Sequence, residues 1–287
     1  LKTKDVQTTL SYYTHLFQRL GLDSPRLSAE LILSKALQVS RLDILAGPQR
    51  SITSNEMHRI IKEMNRREKG EPVAYILGYK EFYGYDFFLD SSVLVPRPET
   101  ESIVDQVLDL FPVDKQFEFA DVCTGSGVLG IVIATKYRKC SGIGTDIFDS
   151  SLNIVKKNIV SHRVDERFLP VKASFAQCFR KNSLDLIVSN PPYLSFEQYK
   201  SLSREIKDFE PSEALIAGEN GTEKLPELIL QFAYSLKSGG YFFMEIDSSM
   251  RDYVFDLLKG DFGDLYNLVD VYKDFSAKDR VLAAKRL

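Results

Sequence analysis

The spacing of apolar positions changes twice along this chain of 287 residues. In the first stretch it is helical: Leu10, Tyr13, Phe17 and Leu20 recur before a Gly21 stop, and Met57, Ile60, Ile61 and Met64 before Gly70. Local signals mark the boundaries. Ser24-Pro25 reads as an N-cap and first-turn proline opening "RLSAELILSKAL", and Thr53 with Glu56 makes a capping box. Residues 1–71 are therefore expected to form a small helical bundle whose apolar stripes pack on one another. In residues 72–98, "PVAYILGYKEFYGYDFFLDSSVLVPRP", aromatics are dense and Gly78 and Gly84 punctuate. Phe82, Tyr85, Phe87 and Leu89 suit strands, so the segment reads as a β-hairpin linker, its aromatics packed rather than stacking on bases.

From residue 99 to 287 helix and strand patterns alternate. Helices are expected near 100–111, 127–137, 150–161, 222–237 and 248–259. Strands are expected near 118–123, 142–147, 167–173, 184–189 and 240–246, with two late ones near 265–272 and 281–286. Fully apolar strands in such alternation predict an α/β fold, a doubly wound, Rossmann-like and mainly parallel sheet.

Charge adds an asymmetry to this division. Residues 1–70 carry 12 Lys and Arg against 7 Asp and Glu, whereas the whole chain has a net charge of -3, so residues 71–287 are acidic at -8. An acidic catalytic half weakly disfavours a nucleic-acid substrate, which needs its phosphates neutralised. Cys123, Cys140 and Cys178 have neither metal-ligand nor CxxC spacing, and His15, His58 and His162 fall in helical patterns away from other ligand types. Reduced cysteines and no metal are expected. No run reaches the ~20 apolar residues of a membrane span and no secretory signal pattern opens the chain, which predicts a cytoplasmic protein without a membrane partner.

Two motifs carry chemistry. In "FADVCTGSGVLGIVIA" a strand pattern runs into Gly125-Ser126-Gly127, with Gly130 completing G-x-G-x-x-G and Asp146 lying 19 residues beyond Gly127. A tight glycine turn lets backbone approach a ligand, and an acidic side chain ending the next strand suits ribose hydroxyls, so any adenosine cofactor could use the site. Asp121, four residues before Gly125, discriminates. A carboxylate there suits the ammonium and sulfonium of S-adenosylmethionine (SAM) and would repel the pyrophosphate of a dinucleotide.

The second motif is Asn190-Pro191-Pro192-Tyr193, directly after the apolar strand "LDLIVS". Two prolines stiffen the turn and remove two N–H donors. What remains are acceptors: the Asn190 side-chain oxygen and the Pro191 carbonyl could take both hydrogens of a planar NH₂ group while the Tyr193 ring covers its flat face. An amide nitrogen is a poor nucleophile. Orienting it toward an electrophilic methyl, with its protons polarised, is catalysis by position and electrostatics, without a general base of shifted pKa.

Several stretches in order, "PVAYILGYKEFYGYDFF", "VLVPRPETE", "DVCTGSGVLGIVIA", "DLIVSNPPYL", "FEPSEALIAGENG", "GGYFFMEI" and "DRVLAAKR", together resemble the HemK-type peptide-chain release factor glutamine methyltransferases over roughly residues 70–286. The resemblance implies methyl transfer from SAM to the side-chain nitrogen of the glutamine in the Gly-Gly-Gln motif of class 1 release factors, with a helical N-terminal domain helping to bind that protein. It also implies that Cys123, Thr124, Gly125, Ser126 and Gly127 line the cofactor, that Asp146 meets the ribose and Phe175 the adenine. Asn190, Pro191, Pro192 and Tyr193 would hold the glutamine. The chain departs from the family pattern at Cys123, Ser174 and Asp247, where glycine, aspartate and glycine are usual, which bears on affinity more than on reaction type. Arg97 and Glu101 of "PRPETE" are not assigned to the site.

Two other functions fit parts of this pattern. An N6-adenine or N4-cytosine methyltransferase would grip an equivalent planar NH₂. A SAM-binding, non-catalytic interaction module is a reading of another class, against which intact Asn190 and Asp121 speak. A monomer without direct nucleic-acid contact is expected.

Overall fold

The computed structural model describes residues 5–274 and 276–287. They form two compact units, one of residues up to Tyr79 together with Ser203–Phe209, the other of Lys80–Leu202 together with Glu210–Leu287.

The first unit contains α1 (Val6–Arg19), α2 (Pro25–Leu37), α3 (Arg41–Ala46), α4 (Ser54–Glu68) and α5 (Val73–Leu77). Thr53 caps α4 as its sequence signal implies, and Pro25 opens α2, but Ser24 before it takes φ +44 and makes no side-chain capping bond. Asp5 accepts from Thr8 N at the start of α1, and Ser40 with Asp43 and Thr53 with Glu56 form reciprocal capping boxes. Phe17, Ile32, Leu33, Ile60 and Met64 are fully buried in its core. One segment differs from expectation: residues 73–77, read as part of a hairpin, are helical. Pro72 at the N-cap and Gly78 at φ +83 bound a single turn that buries Ile76 in the helical core. Burial there outweighs the strand preference of Val73, Tyr75 and Ile76. A short helix, Arg204–Phe209, belongs to the same unit. Buried Arg67 holds it through an ion pair to Glu205 at 2.9 Å, while also donating to the Glu71 and Asp23 carbonyls.

The second unit starts with a hairpin, β1 (Tyr79–Phe82) and β2 (Tyr85–Phe88), narrower than the segment assigned to it from sequence. A 3-10 turn at Pro98–Thr100 leads into α6 (Glu101–Leu110), β3 (Glu118–Val122), α7 (Val128–Lys136), β4 (Ser141–Asp146), α8 (Asp149–His162), β5 (Phe168–Lys172) and β6 (Leu184–Ser189). The short elements β7 (Leu194–Ser195), α9 (Phe196–Ser201) and β8 (Ile216–Gly218) follow, with α10 (Arg204–Phe209), the short helix of the first unit, between α9 and β8 in the chain. The chain ends with α11 (Leu225–Ser235), β9 (Leu236–Glu245), α12 (Arg251–Lys259), β10 (Tyr266–Lys273) and β11 (Asp279–Arg286).

Seven strands form one sheet in the order β10-β11-β9-β6-β3-β4-β5. The pairs from β9 to β5 are parallel and β11 runs antiparallel to both neighbours. Alternate residues supply two cores: Phe119, Leu186, Val188 and Phe243 pack with α6, α7 and α8, whereas Ala120, Val122, Ile187, Phe242 and Met244 pack with α11 and α12. A sheet covered on both faces needs strands apolar at every position, as the sequence has them. The N-terminal halves of β3 and β6 are filled by these cores, so only their carboxyl ends are left to build a site.

Candidate active site

The carboxyl ends of β3, β4 and β6 open onto a cavity of about 320 Å³. After β3 the backbone makes a turn in which Cys123, Gly125 and Gly127 all take positive φ, at +61, +55 and +84. Glycine meets this demand without strain, whereas Cys123 takes a left-handed conformation that costs an L side chain about 1–2 kcal/mol. Thr124 N donates to the Thr145 carbonyl at 2.9 Å and Gly127 N to the Thr124 carbonyl at 2.7 Å, which fixes the turn against β4.

Asp121 is the internal support of this turn. Its Oδ2 accepts from Thr124 Oγ1 at 2.6 Å and from Gly130 N at 2.9 Å, and the side chain lines the cavity while being almost fully buried. Burial pushes its carboxyl up to about 7; the two hydrogen bonds oppose that rise and Asp146 adds to it. The carboxylate is thus poised for a cation, since a positive ligand in the cavity would favour its charged form.

Asp146 ends β4 and is held by the backbone around it. Oδ2 accepts from Gly125 N at 3.1 Å and Oδ1 from Phe148 N at 3.0 Å. Burial raises its pKa against these hydrogen bonds. Beside it, Phe175 sits at φ +48, unusual for a bulky residue, with its carbonyl accepting from Thr145 Oγ1 at 2.8 Å. Phe175, Ser174 and Ile147 form part of the same wall.

At the end of β6, Ser189 donates to the Val122 carbonyl at 2.7 Å and ties the start of the proline turn to β3. Asn190 and Pro192 line the cavity. Asn190 Nδ2 donates to Thr100 Oγ1 at 3.2 Å, and Thr100 in turn donates to Glu245 Oε2 at 2.5 Å. Tyr193 donates its phenolic proton to the other oxygen of Glu245 at 3.0 Å. Burial raises the pKa of Tyr193 further, so the phenol keeps that proton.

The cavity wall therefore includes Asp121, Cys123, Thr124, Gly125, Ser126, Asp146, Phe175, Asn190 and Pro192 of the residues singled out from sequence. Gly127, Pro191 and Tyr193 are not in the wall: Gly127 caps α7, and the Tyr193 hydroxyl is engaged by Glu245. Within "PRPETE", Arg97 pairs with Glu210 at 2.6 Å and Glu101 accepts from Tyr83 N, so neither faces the cavity, but Pro96 and Thr100 do. Glu213, Lys224 and Glu227 also line the cavity and were not singled out from sequence, because they arrive from segments far along the chain. Among the described residues no group of His, Cys, Asp and Glu could hold a metal ion, and no helix is long and apolar enough to cross a membrane.

The buried Asp121 carboxylate, the half-buried Asp146 carboxylate, a glycine turn open to the cavity at Gly125 and a wall of amide and ring side chains fit a cationic adenosine compound better than a pyrophosphate. Residues 104–207 match the methyltransferase small domain family, and residues 8–78 the PrmC N-terminal domain family. In fold, the chain is similar to a methyltransferase from Pyrococcus furiosus, with a TM-score of 0.51 over 78% of this chain and 98% of that one at 15% identity. Fold and family together define a methyltransferase.

The sequence is also 36% identical to the release factor glutamine methyltransferase of Nitratidesulfovibrio vulgaris over 95% of this chain and 93% of that protein. Similarity to the enzymes of that name from Koribacter versatilis (37%, covering 82% and 84%) and Clostridium botulinum (33%, covering 94% and 95%) is comparable. This chain belongs to the release factor glutamine methyltransferase family, as its motifs imply.

Proposed function

We propose that this enzyme transfers a methyl group from SAM to the side-chain amide nitrogen of the glutamine in the Gly-Gly-Gln motif of class 1 peptide-chain release factors. The observation that carries the reading is the orientation of Asn190, whose NH₂ is turned to Thr100 and whose oxygen is thereby left for the cavity. An acceptor there suits a substrate that brings N–H groups. Names of relatives that cover nearly the whole chain support a glutamine as the source of that group.

Bound SAM supplies a methyl group made electrophilic by its sulfonium. Asp121 and Asp146 would hold its cationic and ribose parts, and Phe175 would flank the adenine. Asn190 Oδ1 and the Pro191 carbonyl would accept the two amide hydrogens of the substrate, holding its nitrogen toward the methyl and stabilising positive charge as it develops. Pro192 would keep this acceptor pair rigid; Tyr193, outside the cavity wall with its hydroxyl on Glu245, would cover one face of the amide only after turning its ring to the bound substrate.

Incubating the enzyme with isotopically labelled SAM, a class 1 release factor and a nucleic-acid pool tests the reading. Label confined to the Gly-Gly-Gln peptide is expected. Label in bases would favour a nucleic-acid methyltransferase, and label in neither a non-catalytic SAM-binding module.

A further inference from the structure

We propose that Thr100 and Glu245 are positioning residues, which set by proton count the edge of the Asn190 amide that faces the substrate. The proposal rests on the reading of Asn190 as a substrate acceptor and assigns what keeps it one. An amide's oxygen and NH₂ edges are nearly the same size, so packing alone does not tell them apart; only hydrogen-bond polarity does.

Three side chains supply that polarity. Thr100 and Glu245 are almost fully buried, and in its ionised form the Glu245 carboxylate would have no proton to give. Thr100 and Tyr193 each have one hydroxyl proton, and both point at it, at 2.5 and 3.0 Å. Thr100 Oγ1 then has only lone pairs left for Asn190. Only the NH₂ edge can meet them, as the 3.2 Å contact from Nδ2 shows. Without the carboxylate, Thr100 would be free to donate to Asn190 Oδ1. The amide would then turn over and present NH₂ to the incoming N–H groups of a substrate, donor against donor.

Ionisation of Glu245 is therefore part of the device. Burial pushes its pKa up; the hydroxyls of Thr100 and Tyr193 and the charge of Arg280 oppose the rise, while Glu99 adds to it. Arg280 is itself paired with Asp274 at 3.1 Å, and Asp247 is the further charge acting on Tyr193. Once protonated, Glu245 could donate to Thr100 and release the threonine proton toward Asn190. Turnover at saturating SAM and release factor should fall as pH drops through the Glu245 titration, above the ordinary carboxylate range.

Steady-state methylation of a release factor by the full chain, with calorimetric SAM binding as a check of folding, tests this. Thr100→Val is expected to lower kcat about tenfold to a hundredfold, the scale of outer-shell partners elsewhere, with SAM affinity nearly unchanged. Thr100→Ser, which keeps the hydroxyl, should retain most of the turnover, and Glu245→Gln should remove the acid limb of the kcat profile. Equal losses in Thr100→Val and Thr100→Ser, or wild-type kcat in Thr100→Val while Asn190→Ala is inactive, overturn the proposal. Full turnover in Asn190→Ala would instead remove the reading beneath it. Should the Val and Gln variants fail to bind SAM, the wild-type profile decides: kcat flat down to the ordinary carboxylate range overturns the proposal.

Discussion

Asp146 Oδ2 accepts the backbone N–H of Gly125 at 3.1 Å, so the carboxyl end of β4 and the glycine turn after β3 share one carboxylate. Its second oxygen takes Phe148 N at 3.0 Å, yet each carboxylate oxygen has a further lone pair for a ligand hydroxyl. Asp146→Ala removes both the support of the turn and the acceptor. Hydrogen bonds to a charged group are each worth about 1.5–3 kcal/mol. SAM affinity is therefore expected to fall at least tenfold, read by titration calorimetry, and an unchanged Kd would show that Asp146 does not meet the cofactor.

Asn190→Ala separates binding from turnover. The glycine turn after β3 and the end of β4, where the cofactor is assigned, do not need this side chain, so SAM binding is expected to persist. The loss of a preorganised group at the reacting centre is expected to lower kcat by roughly 10²–10³. Parallel loss of SAM binding and turnover would assign Asn190 to the cofactor instead.

Asp121 gives a pH-dependent signature. Its pKa rises from an ordinary 3.8 to about 7 in the fold, so its contribution to stability is complete below about pH 4 and is lost as pH rises through 7. At one unit per 1.36 kcal/mol the effect is on the order of a few kcal/mol. Thermal melts from pH 5 to 8 should show the wild type losing stability relative to Asp121→Asn. SAM affinity should tighten toward pH 7 in the wild type alone, because a cation favours the ionised form. Parallel stability curves for the two proteins would contradict the raised pKa.

Gly130 is required for space rather than for backbone freedom. A Cβ built there would lie 2.1 Å from the Phe168 ring, which stacks on Phe119 at 5.8 Å between centroids. Gly130→Ala is expected to destabilise the protein by about 1–3 kcal/mol in a denaturant titration, the usual scale of overpacking. Phe168→Leu in the same background should recover part of that loss; a Gly130→Ala protein as stable as wild type would mean that the ring has room to move.

Much of this protein could be read from local pattern. The apolar runs of β3 and β6 reported a sheet buried on both faces, the capping box of Thr53 and Glu56 located the start of α4, and the order of motifs was enough to imply the family. No helix or strand was expected in the segment between Tyr193 and Gly218. Its strands β7 and β8 are two and three residues long and exist by pairing with each other across the sequence, and its helix α10 is held by Arg67, more than 130 positions earlier.

The site divides along the same line. Sequence by itself determined which residue types are offered to the cavity, Asp121, Gly125, Asp146 and Asn190, because each sits where a strand must end and a turn must begin. Only the tertiary structure decided how they are held: that Asp121 is committed to Thr124 and Gly130, and that Asn190 is oriented by Thr100 and Glu245. A side chain's identity is a local property. The direction of its hydrogen bonds depends on partners that folding brings from 55 and 90 positions away, and no spacing along a chain records which of those groups brings the proton.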